Sequence, residues 1–342
     1  MRVGFGLALL NDGTIPDADL YREAIRRAEQ AERLGFDSLW TVEHHFTGHS
    51  PVPNPLQLLA YIAARTSRIR LGTAVIVLPW HDPVRVAEEI AMLATLAPGR
   101  AVFGFGRGAA PAEFHGFRVP VEESRARFTE ALEIVALALS HERFSYEGEI
   151  FSIPEISIRP RPAAPPPLYG AVGSDASAVA IGERGLGPLI APSPDLDETA
   201  GHLDSYREAA VRAGHEPRPP ASHMYVCLGE TEAEAGEAGR RWVAPMLDVL
   251  RRHYEGFGPA APAPGGQLPR GDDASAAFVE RHVVGTPEAA VERIAEIRRR
   301  TGLGEFVAEL AFAGMTPADA DRNALLFAER VLPALRREEA LL

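Results

Sequence analysis

Three short stretches carry residue types that can do chemistry. In "LWTVEHHFTG" (39–48) an apolar run stops abruptly at Glu43-His44-His45. Two imidazoles beside a carboxylate can bind a metal or exchange protons near neutrality. In "GFGRGAAPAEF" (104–114), Arg107 stands among Gly104, Gly106 and Gly108. Its planar guanidinium suits phosphate or carboxylate, and the glycines let a flat or bulky ligand approach the backbone. In "GSDASAVA" (173–180), Gly173-Ser174 precede a helical pattern that starts near Asp175. Backbone N–H groups at a helix start, with the Ser174 and Ser177 hydroxyls, form an anion site. Taken with Arg107 they read as a phosphate cradle. The chain has neither a G-x-x-x-x-G-K-[ST] loop nor a strand–G-x-G-x-x-G–helix unit followed by an acid. The expected ligand is therefore a phosphate-bearing cofactor outside the usual dinucleotide and nucleotide-triphosphate sites. No metal is expected. Adjacent residues at a strand end point to opposite sides, and His49 and His81 complete no H-E-x-x-H spacing.

These residues need a scaffold that gathers them. Strand-like runs occur at "RVGFGLALL", "SLWTV", "IRLGTAVIVLP", "RAVFGFGRG", "PLYGAVGS", "GPLIA", "SHMYVCLGET" and "EFVAELAFAG". Helical periodicity follows them at 17–35, 54–66, 83–99, 122–140, 175–185, 196–213, 231–253 and 317–336. Eight strands alternating with helices predict a single (β/α)8 (TIM) barrel over 1–342, with insertions. A doubly wound open sheet is the competing reading. In a barrel, functional residues sit at the C-terminal ends of the strands. Glu43, His44, Arg107, Gly173 and Ser174 all fall there.

Two segments break the rhythm. Residues 144–167 read as a hairpin or long excursion before the fifth strand, and 256–277, rich in Gly, Pro and Ala, read as an irregular insertion or a mobile active-site loop. Composition excludes several classes. A net charge of -12 argues against nucleic acid or anionic membrane as partner. The one cysteine, Cys227, lies in an apolar run, reads as a buried structural thiol, and leaves no disulfide framework or cysteine-rich metal site. No apolar run reaches the ~18–20 residues of a membrane span, and a cytoplasmic location is expected.

The stretches "LWTVEHHFTGHSPVPNP", "RIRLGTAVIVLPWHDPVRVAEEIAMLATLAPGRAVFGFGRG", "LYGAVGSDASAVAIGERGLG" and "HVVGTPEAAVERI" together resemble the bacterial luciferase-like flavin monooxygenases. The similarity runs from Met1 to about Leu335, and "EHHFT" and "LGTAVIVLP" point to the luciferase α-subunit branch. The resemblance implies a barrel that takes reduced FMN as a diffusible co-substrate from a separate NAD(P)H:flavin reductase. It implies oxygenation of an aldehyde, ketone or other small organic substrate with O2, through a flavin C4a-hydroperoxide. It places His44 beside the flavin as acid or base, with Glu43 orienting an imidazole or serving as a structural acid. Arg107, Ser174 and Ser177 hold the phosphate, with Gly106, Gly108 and Gly173 lining the cofactor. It further implies a cis peptide between Ala74 and Val75, Glu88 at a subunit interface, and a homodimer. The chain departs from the α-subunit pattern at Gly106, where a cysteine is usual, at Gly173, where a glutamate is usual, and in "IAPSPD", which lacks a tryptophan. Light emission therefore does not follow. A deazaflavin-dependent oxidoreductase of the same barrel type and a non-catalytic partner subunit are the alternatives.

Overall fold

The computed structural model describes residues 1–192, 195–255 and 272–339. Its strands are β1 (Arg2–Leu7), β2 (Ser38–Thr41), β3 (Arg70–Val77), β4 (Ala101–Gly106), β5 (Phe144–Glu147), β6 (Ser152–Ile156), β7 (Leu168–Val172), β8 (Gly187–Ile190), β9 (Ala221–Leu228), β10 (Val283–Gly285) and β11 (Glu305–Glu309). Eight of them close a parallel ring in the order β1-β2-β3-β4-β7-β8-β9-β11, with β11 returning to β1. This is the expected (β/α)8 barrel. β5 and β6 form a separate antiparallel hairpin within the expected excursion, and β10 pairs with β9 outside the ring.

The ring closes because its glycines and large residues alternate. Val3, Phe5 and Leu7 of β1 pack outward into the core beneath the helices. The intervening Gly4 lies against inward residues: a Cβ there would meet Ser38 Oγ at 2.5 Å. Gly72 likewise makes room for the Trp40 ring, which a Cβ at this position would meet at 2.4 Å. Trp40, Val102, Tyr169, Ala221 and Val307 fill the barrel interior as a packed plug, as the fold requires.

The outer layer follows the 3.6-residue period. α1 (Asp17–Arg33) buries Leu20, Ala24, Ala28 and Ala31. α2 (Pro55–Ala63) starts where Asn54 accepts a hydrogen bond from the Gln57 N–H at 2.9 Å, with Pro55 at the first helical position. Then come α3 (Pro83–Leu96), α4 (Pro111–Phe117), α5 (Ser124–Ser140), α6 (Asp175–Glu183), α7 (Leu196–Arg212), α8 (Glu232–Glu255), α9 (Asp272–Arg281), α10 (Pro287–Thr301), α11 (Pro317–Leu326) and α12 (Leu332–Glu339). No described helix is long and apolar enough to cross a membrane. Cys227 is buried, and burial pushes its thiol up to about 12.

The structure adds elements that periodicity did not supply. α4 has seven residues and β10 three, too short to show a period. α10, absent from the expected helices, is capped by Thr286 and closed by Gly302 at φ 71°. Of the expected loop at 256–277, residues 256–271 lie outside the described residues, whereas Asp272 onward is helical because Ala274 and Phe278 give α9 a buried face. The single helix expected at 317–336 is α11 and α12 joined by a π-helical turn at Phe327–Val331.

Candidate active site

All ten expected site residues line one cavity of about 830 Å³ at the C-terminal ends of the strands: Glu43, His44, Ala74, Val75, Gly106, Arg107, Gly108, Gly173, Ser174 and Ser177. The peptide between Ala74 and Val75 is cis. Val75 lies against Gly106, where a Cβ would come within 2.4 Å of Val75 Cγ2. Gly106 is thus needed for the valine side chain. Gly108 has φ +80° and faces the Trp80 ring, which a Cβ would meet at 2.5 Å. Gly173 has no described residue within 4 Å of where a Cβ would stand.

The segment after β2 turns sharply. Phe46 and Ser50 hold positive φ of 65° and 49°, and His44 makes an isolated antiparallel bridge to Val52. Non-glycine residues in this region persist only where their surroundings fix them. Here the Ser50 hydroxyl accepts the Leu9 N–H at 2.9 Å, and the Gly48 carbonyl accepts the Asn11 N–H at 3.1 Å.

This turn sends its two histidines to different carboxylates. His45 is buried, and its Nε2 lies 3.0 Å from Glu43. Glu43 also accepts from Trp80 Nε1 at 2.9 Å, from the Val77 N–H at 2.9 Å, and lies 2.7 Å from His81 Nε2. Burial alone would raise the Glu43 carboxyl, but hydrogen bonds from His45 and His81 and the His81 charge hold it at about 2. His44 retains access to the cavity. Its Nδ1 lies 3.1 Å from Oε1 of Glu113, which also accepts the His45 N–H at 2.9 Å.

Glu113 on α4 and His253 on α8 were not found by sequence reasoning. Glu113 sits inside a stretch singled out for Arg107, yet its partner is 69 residues away. His253 is fully buried, with Nδ1 at 2.7 Å from Thr47 Oγ1 and Nε2 at 3.5 Å from Glu113. Burial, then the charges of His44 and His45, hold His253 down at about 3. The rings of His44, His49 and His253 stand within 4.8 Å of one another, and His49 Nδ1 and His253 Nε2 have no hydrogen-bond partner among the described residues. His44, Glu113 and His253 offer ligand atoms within 4.8 Å, the one described group able to hold a metal. Ligands of a tetrahedral zinc stand about 3.3 Å apart, so the rings would have to close in.

The other end of the cavity suits an anion. Arg107 donates only to Ser124 Oγ, at 3.3 Å, and neither it nor the neighbouring Arg125 faces a carboxylate among the described residues. Burial and then the Arg125 charge lower the Arg107 pKa, which a bound anion would reverse. Ser174 and Ser177 cap α6 reciprocally, Ser174 Oγ accepting the Ser177 N–H and Ser177 Oγ accepting the Ser174 and Gly173 N–H groups. Of the first-turn N–H groups of α6, the cap takes that of Ser177.

A family model described as luciferase-like monooxygenase matches residues 1–304. The crystal structure of monooxygenase RslO1 from Streptomyces bottropensis superposes with a TM-score of 0.87 at 30% identity, over 97% of this chain and 99% of that one. An F420-dependent glucose-6-phosphate dehydrogenase of Kineococcus radiotolerans is 35% identical over 64% of this chain and 67% of its own length. The alkanal monooxygenase alpha chain of the Kryptophanaron alfredi symbiont is 27% identical over 63% and 61%. The chain thus spans about two thirds of the length of such curated relatives. With its barrel, its gathered site residues and this match over most of its length, the chain belongs to the luciferase-like monooxygenase family.

Proposed function

We propose that this oxidoreductase is a two-component flavin monooxygenase. It takes reduced FMN from a separate NAD(P)H:flavin reductase and uses O2 to oxygenate an aldehyde, ketone or other small organic substrate. One observation carries the reading: a single cavity holds an uncompensated cationic end, Arg107 with Arg125 and the start of α6, and a hydrogen-bonded imidazole at His44. The cationic end fits the FMN phosphate, and the glycines beside it admit a flat ring. Bound reduced FMN supplies the electrons that activate O2.

The chain's own residues do the rest. Arg107 binds the phosphate, aided by α6 and the Ser174 and Ser177 cap. His44 is the catalytic residue. With Nδ1 tied to Glu113, its Nε2 is the atom that gives or takes the proton near the reacting groups. Glu113 fixes the ring and offsets its charge when protonated. Glu43 is a positioning residue: it ties the β3 backbone at Val77 to His45 and so sets the direction in which His44 leaves the turn. Met92 and Leu96, exposed on α3 with Glu88, and Tyr61, exposed on α2, support a homodimer.

The test is oxygen consumption and substrate oxygenation by the chain plus a flavin reductase, with an anaerobic titration of reduced FMN against reduced F420. Tight FMN binding with oxygen-dependent turnover supports the reading. Binding of F420 alone, with hydride transfer in the absence of oxygen, would replace it with the deazaflavin reading, which the F420-dependent relative favours.

A further inference from the structure

The cavity carries a second imidazole–carboxylate pair that the proposed function leaves unused. His223 on β9 and Glu309 on β11 meet inside the barrel, His223 Nε2 standing 3.4 Å from Glu309 Oε2. Glu309 is buried and also accepts the Ala8 N–H at 2.8 Å. The His223 side chain keeps 22% exposure and lines the same cavity as His44 and Arg107. Strand order fixes its place. Around the closed ring, β9 stands four strands from β3 and β11 four strands from β4. The pair therefore lies diametrically across from the strands that carry Ala74-Val75 and lead into Arg107.

The pair has a space made for it. Gly6 of β1 is in register with Glu309. A Cβ at Gly6 would come 2.5 Å from His223 Nε2 and 2.7 Å from Glu309 Oε2. A buried carboxylate is costly unless it is paired and hydrogen-bonded, and here its partners are His223 and the Ala8 and Ala311 amides. The wall beside it is apolar, with Ala221, two residues back on β9, and Leu189, its register partner on β8. Further charged or titratable groups face this region: Tyr254 lines the cavity, and Tyr225 on β9 is raised by burial and then by the Glu309 charge. Arg281 lines the cavity, and His282, held at about 3 by burial and then by the His223 and Arg281 charges, stays neutral.

A carboxylate only accepts hydrogen bonds, so we assign the proton of the neutral ring to the nitrogen that stands at ion-pair distance from Glu309. In the neutral ring Nδ1 is then an acceptor, and it has no protein partner among the described residues. An acceptor set in an apolar wall selects a ligand that donates. We propose that His223, held by Glu309, is a substrate-binding base, and that the substrate presents to it an acidic hydroxyl, phenolic or enolic. In the step this implies, the substrate O–H bond breaks, its proton passes to Nδ1, and the electron pair remains on the substrate oxygen. The imidazolium formed faces the Glu309 carboxylate and stays hydrogen-bonded to the phenolate or enolate, and no electrons change hands. Within the monooxygenase reading, on which its place in the reaction rests, the anion is the more nucleophilic partner for oxygen transfer.

The binding step needs no cofactor, so it is tested alone with 4-nitrophenol, which turns yellow on ionisation. In buffer below the phenol's own pKa, the wild-type chain is expected to bind it about tenfold more ionised than in free solution. His223→Gln keeps the volume and a polar group but cannot take the proton. It and His223→Leu, both checked for folding by circular dichroism, are expected to lose the ionised band. Equal ionisation in the folded variants, or no binding to the wild type, overturns the assignment. Oxygen consumption with a reductase is read separately: its absence with the ionised band intact removes the monooxygenase reading and leaves the base.

Discussion

The barrel holds a buried carboxylate cluster at each end, and the two are built differently. At the N-terminal end Glu305 accepts from Trp40 Nε1 at 2.8 Å, Ser38 Oγ at 2.5 Å and Arg2 Nε at 2.7 Å, with Arg70 at 3.3 Å. Arg2, Ser38, Arg70 and Glu305 are the first residues of their strands, so one set of bonds ties β1, β2, β3 and β11 together. Its charges are offset by permanent cations. At the C-terminal end Glu113 faces histidines, whose charge depends on pH, and two imidazole nitrogens, on His49 and His253, make no hydrogen bond among the described residues. The closed cluster has nothing further to bind. The open one keeps hydrogen-bonding capacity, which protein interiors rarely leave unused unless a ligand or a reaction takes it up.

The sharpest way to break this contrast is at His44. His44→Ala should leave FMN affinity near wild type and lower substrate oxygenation about 10²–10⁴-fold, the usual range for losing a general acid or base. Single-turnover oxygenation of a test aldehyde or ketone, set against an anaerobic FMN titration, reads both. Wild-type turnover would return His44 to a structural role. Glu305 should behave in the opposite sense. Glu305→Ala leaves Arg2 and Arg70 without their acceptor and should cost about 3–5 kcal/mol of stability. A thermal melt should drop accordingly, while FMN binding per folded molecule holds. A loss of FMN binding with an unchanged melt would erase the division between the two ends.

Acid should also separate the carboxylate of the mouth from its histidines. Glu43 titrates at about 2 in the folded chain against an ordinary 4.5. It contributes stability above the ordinary value, and that contribution is lost as pH falls from 4.5 towards 2. The gap is worth about 3 kcal/mol. His253 starts earlier. Its folded value of about 3 lies below the ordinary 6.5, so the chain loses stability as pH falls through that window. Seen from His81, burial lowers the imidazole but the Glu43 carboxylate outweighs it and raises it. That share of the pair's stability is present below 6.5 and fades as pH rises. Glu43→Gln should therefore lessen the loss in a urea-stability profile between pH 4.5 and 2 and leave the loss from pH 6.5 towards 3, which belongs to His253. An unchanged acid limb would mean that His45 and His81 do not hold this carboxylate.

How much of this was legible in sequence depends on range. The strand ends and Arg107 could be placed because the barrel fixes which end of a strand is functional, and "GSDASAVA" announced its own cap through serines three residues apart. The partners of His44 could not. Glu113 and His253 reach it from α4 and α8 across 69 and 209 residues, and neither has a local spacing that distinguishes it from a polar helix residue. The same holds for His223 and Glu309, which read as ordinary strand residues until β9 and β11 are paired. The cis peptide at Ala74-Val75 left no mark in composition or periodicity and was expected only from the resemblance.

The smallest effect expected is also the most specific. Among the described residues Arg107 makes one long hydrogen bond, to Ser124 at 3.3 Å, so removing it breaks little there. Arg107→Ala should leave the stability within about 0.5 kcal/mol of wild type, as for a substitution that removes no buried packing or paired charge. A charge-assisted bond to phosphate is worth about 1.5–3 kcal/mol, so reduced FMN should bind roughly ten- to a hundredfold more weakly. Riboflavin, which lacks the phosphate, should bind as to wild type. Equal weakening of both flavins would place the arginine beside the ring instead. The anion end would then rest on Arg125 and the first turn of α6 alone, and the contrast between an uncompensated cation and a paired one would have to be drawn there.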